Sequence, residues 1–371
     1  MAMSILVSNV KLNSCSNLTE NWVDNDCMAR LARLKLFMSA TVLLVAIVFS
    51  LFLIVIMYII QISLIYAVIL TILFILIQYL VGPAIVRAST RLRYIRPGEH
   101  PWLESTVKDL ANKSEIVMPR LAVVSDQTPN AFVFGRTTGG ATLAVHEGLL
   151  TKLNQAEIQG VIGHELGHIK HKDFLVMTAL SALPLLAYLI ARFTFEAAWI
   201  GGRSRDDESK GLGAVLFVVA VISYIIYIVT LLFVMRLSRL REHYADSYSA
   251  YLTGAPRQLE SALTKITFGL SLAPKLNTGA RTLYIGDPAL AKQEYSNILQ
   301  RKETYDLDRD GVLDERELEL AMEKEAKSTW TTINSWFSTH PPTFQRILLL
   351  REIGKEMESG RYSSERIYTR I

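Results

Sequence analysis

The stretch NQAEIQGVIGHELGHIKHKD, residues 154–173, decides how the rest of the chain is interpreted. Its apolar spacing and its lack of proline predict a helix. His164 and His168 are four residues apart, so both imidazoles project from one face of that helix and can bind one Zn²⁺. Glu165 lies beside them, where it can polarise water at the metal and pass its proton to a leaving amine. A five-residue pattern also occurs by chance on amphipathic helices, so further ligands are needed.

A catalytic zinc requires a third protein ligand, and RLREHYADSYSAYL, residues 239–252, supplies candidates. Glu242 and Asp246 are spaced i, i+4, so one can bind the metal while the other orients a ligand histidine. His243 is a rival ligand, but it points about 100° away from that face. The alternative is that these residues are surface charges on a helix that leaves a membrane.

Membrane segments flank both motifs. Half of the chain is hydrophobic, and no charged residue occurs from Phe37 to Val86, which is roughly twice the length that crosses a bilayer core. We therefore predict two spans at about 37–60 and 63–86, the second ended by Gly82 and Pro83. The net charge is +4. The basic residues lie beside these apolar runs and form no patch with interleaved aromatic residues, which excludes a nucleic-acid-binding protein.

A second pair of spans follows the histidine motif. Residues 212–235 form another uncharged run, whereas 174–200 is interrupted by Pro184, Arg192 and Glu196. If His168 and Glu242 bind one metal, the chain between them must cross the bilayer an even number of times, so 174–200 is predicted to cross as well.

The predicted orientation places the metal site in the cytoplasm. Cations flank the ends of the spans that lie on the side of the metal motifs, and an excess of Lys and Arg marks the cytoplasmic side. These cations are Arg30, Arg33, Lys35, Arg87, Arg91, Arg93, Arg96, Lys170, Lys172, Arg236, Arg239 and Arg241. We predict a multi-pass protein of the cell membrane, in contact with the lipid bilayer.

At this point the sequence resembles the HtpX-like family of membrane zinc metalloproteases (M48). The resemblance is carried by HELGHIKHKD, REHYADSYSA, PNAFVFG and STHPPTFQRI. It implies an α+β, mainly helical fold, with a zincin-type protease domain carried by about four transmembrane helices and an activity against misfolded or damaged membrane proteins. It also implies one Zn²⁺ per subunit, bound by His164, His168 and Glu242. Glu165 is then the catalytic base, and Asp246 orients a ligand histidine without binding the metal.

The predicted organisation alternates membrane and protease segments. The polar amino-terminal tail covers 1–36, the first membrane hairpin 37–86, and the first part of the protease domain 87–173. A second hairpin covers 174–236, and the second part of the protease domain covers 237–371. Relative to the family, a helix-loop-helix insertion is predicted at about 288–332.

Short β-branched stretches predict the remaining architecture of the protease domain. MPRLAVVSD, AFVFG and ATLAVHE are predicted strands, the last two joined by a hairpin at TTGG. An exposed edge there could bind extended substrate backbone by strand addition. Asn130 is a candidate substrate-binding residue because of the family resemblance, and otherwise a turn residue before a strand.

His340 in STHPPTF is a second candidate catalytic residue. The proline that follows disfavours helical geometry, so His340 is predicted in an extended turn before the helix QRILLLREI. We hypothesise that it donates a hydrogen bond to the oxyanion of the tetrahedral intermediate. The alternative is a loop histidine that caps the helix. His171, His146 and Asp173 are interpreted mainly as surface residues, Asp173 with a weaker claim to support a ligand.

DLDRDGVLDERE, residues 306–317, follows the pattern of an EF-hand calcium loop. Gly311 stands at the sixth place, and candidate Ca²⁺ ligands fill places 1, 3, 5, 7, 9 and 12. These ligands are Asp306, Asp308, Asp310, Val312, Asp314 and Glu317. The alternative is an acidic, solvated turn. Calcium regulation of the protease is a separate hypothesis.

The sequence is also compatible with two other functions. One is a calcium-responsive membrane scaffold whose zincin domain does not cleave, although the retained Glu165 argues against it. The other is processing of prenylated CAAX proteins, whose enzymes share the zinc motifs but have more spans. Protein substrates are predicted in either enzymatic case, and the oligomeric state stays open.

Overall fold

The computed structural model describes four continuous ranges of the chain and a number of single positions. The described residues are 63–203, 207–271, 283–307 and 338–359, together with positions 43, 47, 49, 50, 52–54, 317, 320, 321, 324, 325 and 336. Most of the predicted span 37–60 and the calcium-loop positions 308–316 therefore lie outside the described residues.

Three described helices are long and apolar enough to cross a membrane. They are α1 (Leu64–Thr90), α5 (Asp173–Gly202) and α6 (Asp207–Thr253), and they match the predicted spans at 63–86, 174–200 and 212–235. α5 and α6 pack against each other through Ala187 and Val219, which belong to one buried cluster with Phe49 and Phe52. Apolar side chains on the outer surface are exposed, as expected for contact with lipid.

The end of α1 corrects one prediction. Pro83 lies inside the helix, which continues to Thr90 and ends where Arg91 adopts a left-handed backbone conformation at φ 52°. The expectation that Gly82 and Pro83 end the helix was wrong. Proline removes only one backbone donor, and a long apolar helix tolerates that loss where neighbouring groups compensate for it.

α6 joins membrane and metal motifs in one element. It is a single helix of 47 residues that begins at Asp207, includes the apolar run and continues through Glu242 and Asp246 to Thr253. The same backbone therefore connects a membrane-length segment with the candidate third ligand.

A four-stranded sheet lies beside the histidine helix. Its strands are β1 (Arg93–Tyr94), β2 (Arg120–Val124), β3 (Ala131–Phe134) and β4 (Thr142–His146), in the order β1-β2-β4-β3. β2 and β4 are parallel, whereas β3 pairs antiparallel with β4 and occupies an edge of the sheet. The three predicted strands are all present, and the TTGG segment connects β3 to β4.

Besides the three membrane-length helices and the histidine helix α4 (Gln155–Lys170), six further helices are described. They are α2 (Pro101–Lys113), α3 (Glu147–Lys152), α7 (Pro256–Ser271), α8 (Pro288–Gln300), α9 (Lys302–Tyr305) and α10 (Thr343–Glu358). Their apolar faces and one face of the sheet form the main core, with Leu143, Ile162 and Leu263 among its fully buried members. The observed fold is thus mainly helical with one small sheet, as predicted.

Two glycines allow α4 to approach its neighbours closely. A Cβ at Gly160 would lie 2.9 Å from the backbone nitrogen of Leu259, and a Cβ at Gly163 would lie 2.9 Å from Ser249 Oγ on α6. Ser249 Oγ in turn donates to the Gly160 carbonyl at 2.6 Å. This close contact brings the face of α4 that carries the histidines against α6.

Candidate metal centre

The start of α4 is fixed by a reciprocal cap. The Asn154 side chain accepts from the backbone N–H of Glu157, and the Glu157 carboxylate accepts from the backbone N–H of Asn154. The same carboxylate also accepts from Ser261 Oγ at 2.6 Å and from Lys265 Nζ on α7. The register of α4, and hence the direction of its histidines, is therefore anchored to a second helix.

His164, His168 and Glu242 converge on one point. One ligand atom from each lies within 4.8 Å of the other two. The Nε2 atoms of the two histidines are 3.1 Å apart, and the Glu242 carboxylate lies 3.5 Å from His164 Nε2 and 3.4 Å from His168 Nε2. The i, i+4 spacing on α4 and the close packing of α6 produce this arrangement.

Carboxylates on the far side of each imidazole orient both rings. Asp246 Oδ1 lies 2.9 Å from His164 Nδ1, and Asp173 Oδ2 lies 2.7 Å from His168 Nδ1. A carboxylate at Nδ1 favours the tautomer that carries its proton there, so each Nε2 presents a lone pair toward Glu242. This is the arrangement by which histidine ligands are usually held for a metal.

The residues fit a zinc ion on chemical grounds. Two imidazole nitrogens and one carboxylate face each other, and Glu242 Oε2 has no hydrogen-bond partner among the described residues. Two nitrogen ligands, one oxygen ligand and an adjacent cavity correspond to a catalytic rather than a structural zinc site.

The pKa of His164 indicates that its surroundings favour positive charge, as a zinc site requires. Burial acts to lower the pKa of His164, but the nearby carboxylates of Asp246 and Glu242 outweigh it and raise that pKa to about 9. A proton and a metal ion therefore compete for the same nitrogen, and metal binding would release the proton.

Arg346 is a buried member of the site that sequence reasoning missed. It is 1 % exposed, and it donates to both oxygens of Asp246, from Nε at 2.8 Å and from Nη2 at 2.7 Å. A third bond runs from Nη1 to the carbonyl of Ile285. Arg346 shares a helix face with Leu350 and Ile353, so a charge on an otherwise apolar face was the available signal.

Asp173 also has a larger role than its sequence suggested. Its interpretation as mainly a surface residue was wrong, because it is buried between His168 and the guanidinium of Arg241, which donates to Oδ1. Arg241 is adjacent to Glu242 in the sequence and was used only to predict orientation. Arg241 is itself 5 % exposed, so this cation lies buried behind Asp173 and His168.

His171 and His146 are likewise buried or partly buried, not surface residues. His146 is 4 % exposed, and its Nδ1 lies 3.0 Å from the Thr128 carbonyl. The ring of His171 packs against Tyr244 and Tyr248 on α6. Burial lowers the pKa of His171 to about 4, so this ring is neutral at physiological pH. Both histidines support packing around the site.

Glu165 lines a cavity beside the three converging residues. The cavity has a volume of about 560 Å³, and its walls include β3, α1, α5, α6 and the segment that carries His340. Burial raises the pKa of Glu165, although nearby His168 and His164 oppose that rise. A raised pKa brings a carboxylate closer to the range in which it can both accept and donate a proton near neutral pH.

The structure places His340 at the same centre. It is 5 % exposed, and its Nε2 lies 3.7 Å from Glu242 Oε1. Its Nδ1 lies 2.9 Å from the hydroxyl of Thr339, and burial lowers the pKa of His340, which favours a neutral ring. If the hydroxyl donates to Nδ1, then Nε2 carries the proton and points toward the cavity. His340 is therefore not an exposed loop residue.

Asn130 lies near the cavity, but its side chain is already engaged. It is 1 % exposed, its Nδ2 donates to the Leu283 carbonyl at 3.0 Å, and its Oδ1 accepts from the Ile285 N–H at 2.9 Å. These bonds tie the segment around Leu283 to the start of β3. Asn130 is therefore placed to support the cavity wall.

Only the ends of the predicted calcium loop, residues 306–317, lie among the described residues. The Leu307 backbone N–H donates to the carboxylate of Glu317, which connects the second and twelfth places of the loop. Nearby, Glu325 Oε1 accepts from Tyr305 Oη at 2.6 Å and from Arg301 Nη1 at 2.8 Å, so the stretches before and after the loop are joined. The predicted ligand positions Asp308, Asp310, Val312 and Asp314 lie outside the described residues.

The fold and the site together define a metallopeptidase with membrane-length helices. Residues 97–354 match the model of peptidase family M48. The match covers more than half of the chain, and the chain therefore belongs to peptidase family M48.

Relatives within that family carry the name protease HtpX homolog. The protein of Thermococcus sibiricus is 34 % identical over 75 % of this chain and 82 % of its own length. That of Methanothermobacter thermautotrophicus is 39 % identical over 53 % of this chain and 70 % of its own length. Among solved structures, that of S. mikatae Ste24p matches with a TM-score of 0.46 and 15 % identity, covering 87 % of this chain and 67 % of the other.

Proposed function

We propose that this chain is a zinc endopeptidase of the cell membrane that hydrolyses unfolded, misfolded or damaged membrane proteins. The observation that carries the proposal is the convergence of His164, His168 and Glu242 beside Glu165, at the wall of a cavity. The three converging residues would hold the zinc. When bound, zinc acts as a Lewis acid that polarises a carbonyl and lowers the pKa of water to about 7.

Each side chain of the centre has a defined part in this proposal. The Glu165 carboxylate accepts a proton from the attacking water and delivers it to the nitrogen of the leaving amine. His340 donates from Nε2 to the substrate carbonyl oxygen as negative charge develops on it. Asp246 and Asp173 hold the ligand rings in place, and Arg346 and Arg241 balance the charge of those carboxylates.

The edge strand β3 supports binding of an extended substrate. Residues 131–135 line the cavity, and among the described strands β3 pairs only with β4. A substrate backbone could add to the other side of β3, which gives affinity without strong sequence preference. This geometry suits unfolded protein segments.

Membrane helices form the opposite side of the same cavity. Tyr79 on α1, Thr178 on α5 and Val234 on α6 are among its lining residues. Tyr79 Oη also donates to the Arg136 carbonyl at 2.9 Å, which links α1 to the segment after β3. Because the cavity borders membrane-length helices, substrates that leave the bilayer are favoured. The flanking cations favour a cytoplasmic location for this centre.

One assay separates this function from its two alternatives. Purified protein with zinc is incubated with an unfolded casein-like substrate and, in parallel, with a farnesylated CAAX peptide. We expect cleavage of the casein-like substrate. Cleavage of the prenylated peptide alone would favour CAAX processing, and cleavage of neither would favour a non-cleaving scaffold.

Replacing His340 tests its proposed part in the reaction. We expect His340→Ala to lower kcat by about 10²- to 10³-fold, because an oxyanion donor acts mainly in the transition state. KM and zinc content should change little, as His340 is not among the three converging ligand residues. Steady-state kinetics and metal analysis of the purified variant measure these effects. Normal turnover by His340→Ala would exclude the proposed donation.

We further propose that residues 306–317 bind Ca²⁺ and that the bound ion changes protease activity. Support comes from the ligand pattern and from the contact between Leu307 and Glu317 across the loop. Calcium added to the zinc-loaded protein should change the rate of casein cleavage, and Glu317→Gln should abolish that response. Equal rates with and without calcium would leave no regulatory part for the loop.

A further inference from the structure

The helix α8 and the residue before it, Asp287, contact the two ends of the segment that carries His340. We define the His340 turn as residues 338–343, which lead into α10. Glu294 on α8 is 3 % exposed, and its Oε1 accepts from the backbone N–H of Thr343 at 2.8 Å. The inserted stretch predicted at 288–332 therefore begins with a helix that reaches the candidate active site.

The contact with Thr343 replaces a helix cap that the local sequence cannot supply. α10 begins at Thr343 after Pro341 and Pro342, and the N-cap residue Pro342 makes no side-chain cap. Neither proline has a backbone donor, so the Thr343 N–H is the first backbone donor after that of His340. An unpaired N–H buried at this place would destabilise the turn, and the Glu294 oxygen supplies its acceptor.

Asp287, immediately before α8, fixes the other side of the turn. Ser338 Oγ donates to Asp287 Oδ2 at 2.8 Å, and the backbone N–H of His340 donates to Ser338 Oγ at 3.3 Å. The Asp287 carbonyl also accepts from the Ala291 N–H, so Asp287 is part of the start of α8. The backbone of His340 is thereby connected to α8 through one hydroxyl.

These contacts bear on the reaction because of where the His340 ring lies. Its Nε2 is 3.7 Å from Glu242 Oε1, at the centre described above. Catalytic geometry is sensitive to displacement, and a misplacement of about 1 Å can cost on the order of 10²-fold in rate. A histidine side chain follows its own backbone, so the groups that fix the His340 turn also fix the ring.

We propose that Glu294 and Asp287 are positioning residues for His340, through which α8 sets the alignment of the catalytic turn. This inference rests on the proposed function. The role of Glu294 is that of an acceptor: burial raises the pKa of Glu294 to about 8, so its bond to Thr343 does not depend on a full negative charge. A glutamine at this position keeps the accepting oxygen, whereas a methionine keeps the length but not the acceptor.

The test compares Glu294→Gln with Glu294→Met in the zinc-loaded full chain. We expect Glu294→Met to lower kcat for casein cleavage by roughly 10-fold or more, with KM and zinc content unchanged, and Glu294→Gln to retain most of the wild-type kcat. The same two substitutions are then made together with His340→Ala. If Glu294 acts through His340, Glu294→Met has no further effect there. Equal losses in both backgrounds, or wild-type kcat for Glu294→Met, would overturn the proposal.

A second measurement keeps the test independent of protease activity. The reaction of His340 with diethyl pyrocarbonate, followed by peptide mass spectrometry, should be slow in the wild type and faster in Glu294→Met. Ser338→Ala, a small change that removes the connection to Asp287, should raise the reactivity of His340 in the same direction. Unchanged reactivity in both variants would contradict the positioning role. Failure of the proposed function would instead appear as a wild-type protein that does not cleave casein with zinc.

Discussion

Glu165→Gln is expected to lower kcat for cleavage of an unfolded substrate by about 10²- to 10⁴-fold, the range typical for loss of a general base. Glutamine has nearly the same shape but cannot accept the proton of the attacking water. Zinc content should stay at the wild-type level, because Glu165 is not among the converging ligand atoms. Initial rates on a casein-like substrate and metal analysis of the same preparation measure both quantities.

A matched control is available on the nearby surface. The Glu115 side chain is 87 % exposed and lies 3.8 Å from Lys170 at the end of α4, so Glu115→Gln removes a comparable charge outside the cavity. Glu115→Gln should cleave at the wild-type rate, since exposed ion pairs contribute little. Wild-type turnover by Glu165→Gln would exclude it as the base and would favour a different proton acceptor.

Glu242→Gln is expected to reduce both zinc binding and proteolysis. Loss of a residue that only supports a ligand costs roughly 10- to 100-fold in metal affinity, so loss of a direct ligand should cost more. The glutamine amide is neutral and is a poorer metal ligand than a carboxylate. The substitution also removes the negative charge that faces the Nε2 atoms of His164 and His168. Zinc titration monitored by competition with a chromophoric chelator measures the affinity, and casein cleavage at saturating zinc measures the residual activity.

The neighbouring residue provides the control for this prediction. His243 was the rival ligand in the sequence, but the group of converging ligand atoms in the described residues contains Glu242. His243→Gln should therefore retain wild-type zinc affinity. If His243→Gln lost zinc and Glu242→Gln kept it, the third ligand would have to be reassigned.

The sequence predicted the elements of the site that depend on local spacing. The i, i+4 pairs on two helices place His164 and His168 on one face and Glu242 and Asp246 on another, and the structure brings those faces together. The strands and the membrane-length helices could be predicted because alternation and length are local properties. The prediction that α1 ends at Pro83 was wrong, because a proline disturbs the hydrogen bonding of only one helical turn. The helix continues beyond it to Thr90.

The residues missed by sequence reasoning depend on contacts between distant segments. Arg346 meets Asp246 from a position 100 residues further along the chain, and Arg241 meets Asp173 across 68 residues. A charge on an apolar helix face indicates a buried partner but does not identify it. For the same reason Asn130 could be assigned to substrate, although in the structure its amide bonds to the backbone of Leu283 and Ile285.

Zinc binding and zinc-dependent cleavage by the wild-type protein test the central claim most directly. The purified full chain is stripped with a chelator, dialysed and titrated with zinc, while casein cleavage is followed in the same samples. The proposed centre predicts one zinc per chain, no cleavage by the stripped protein and recovery of cleavage in step with zinc occupancy. Cleavage that persists in the stripped protein, or zinc binding that restores none, would contradict it.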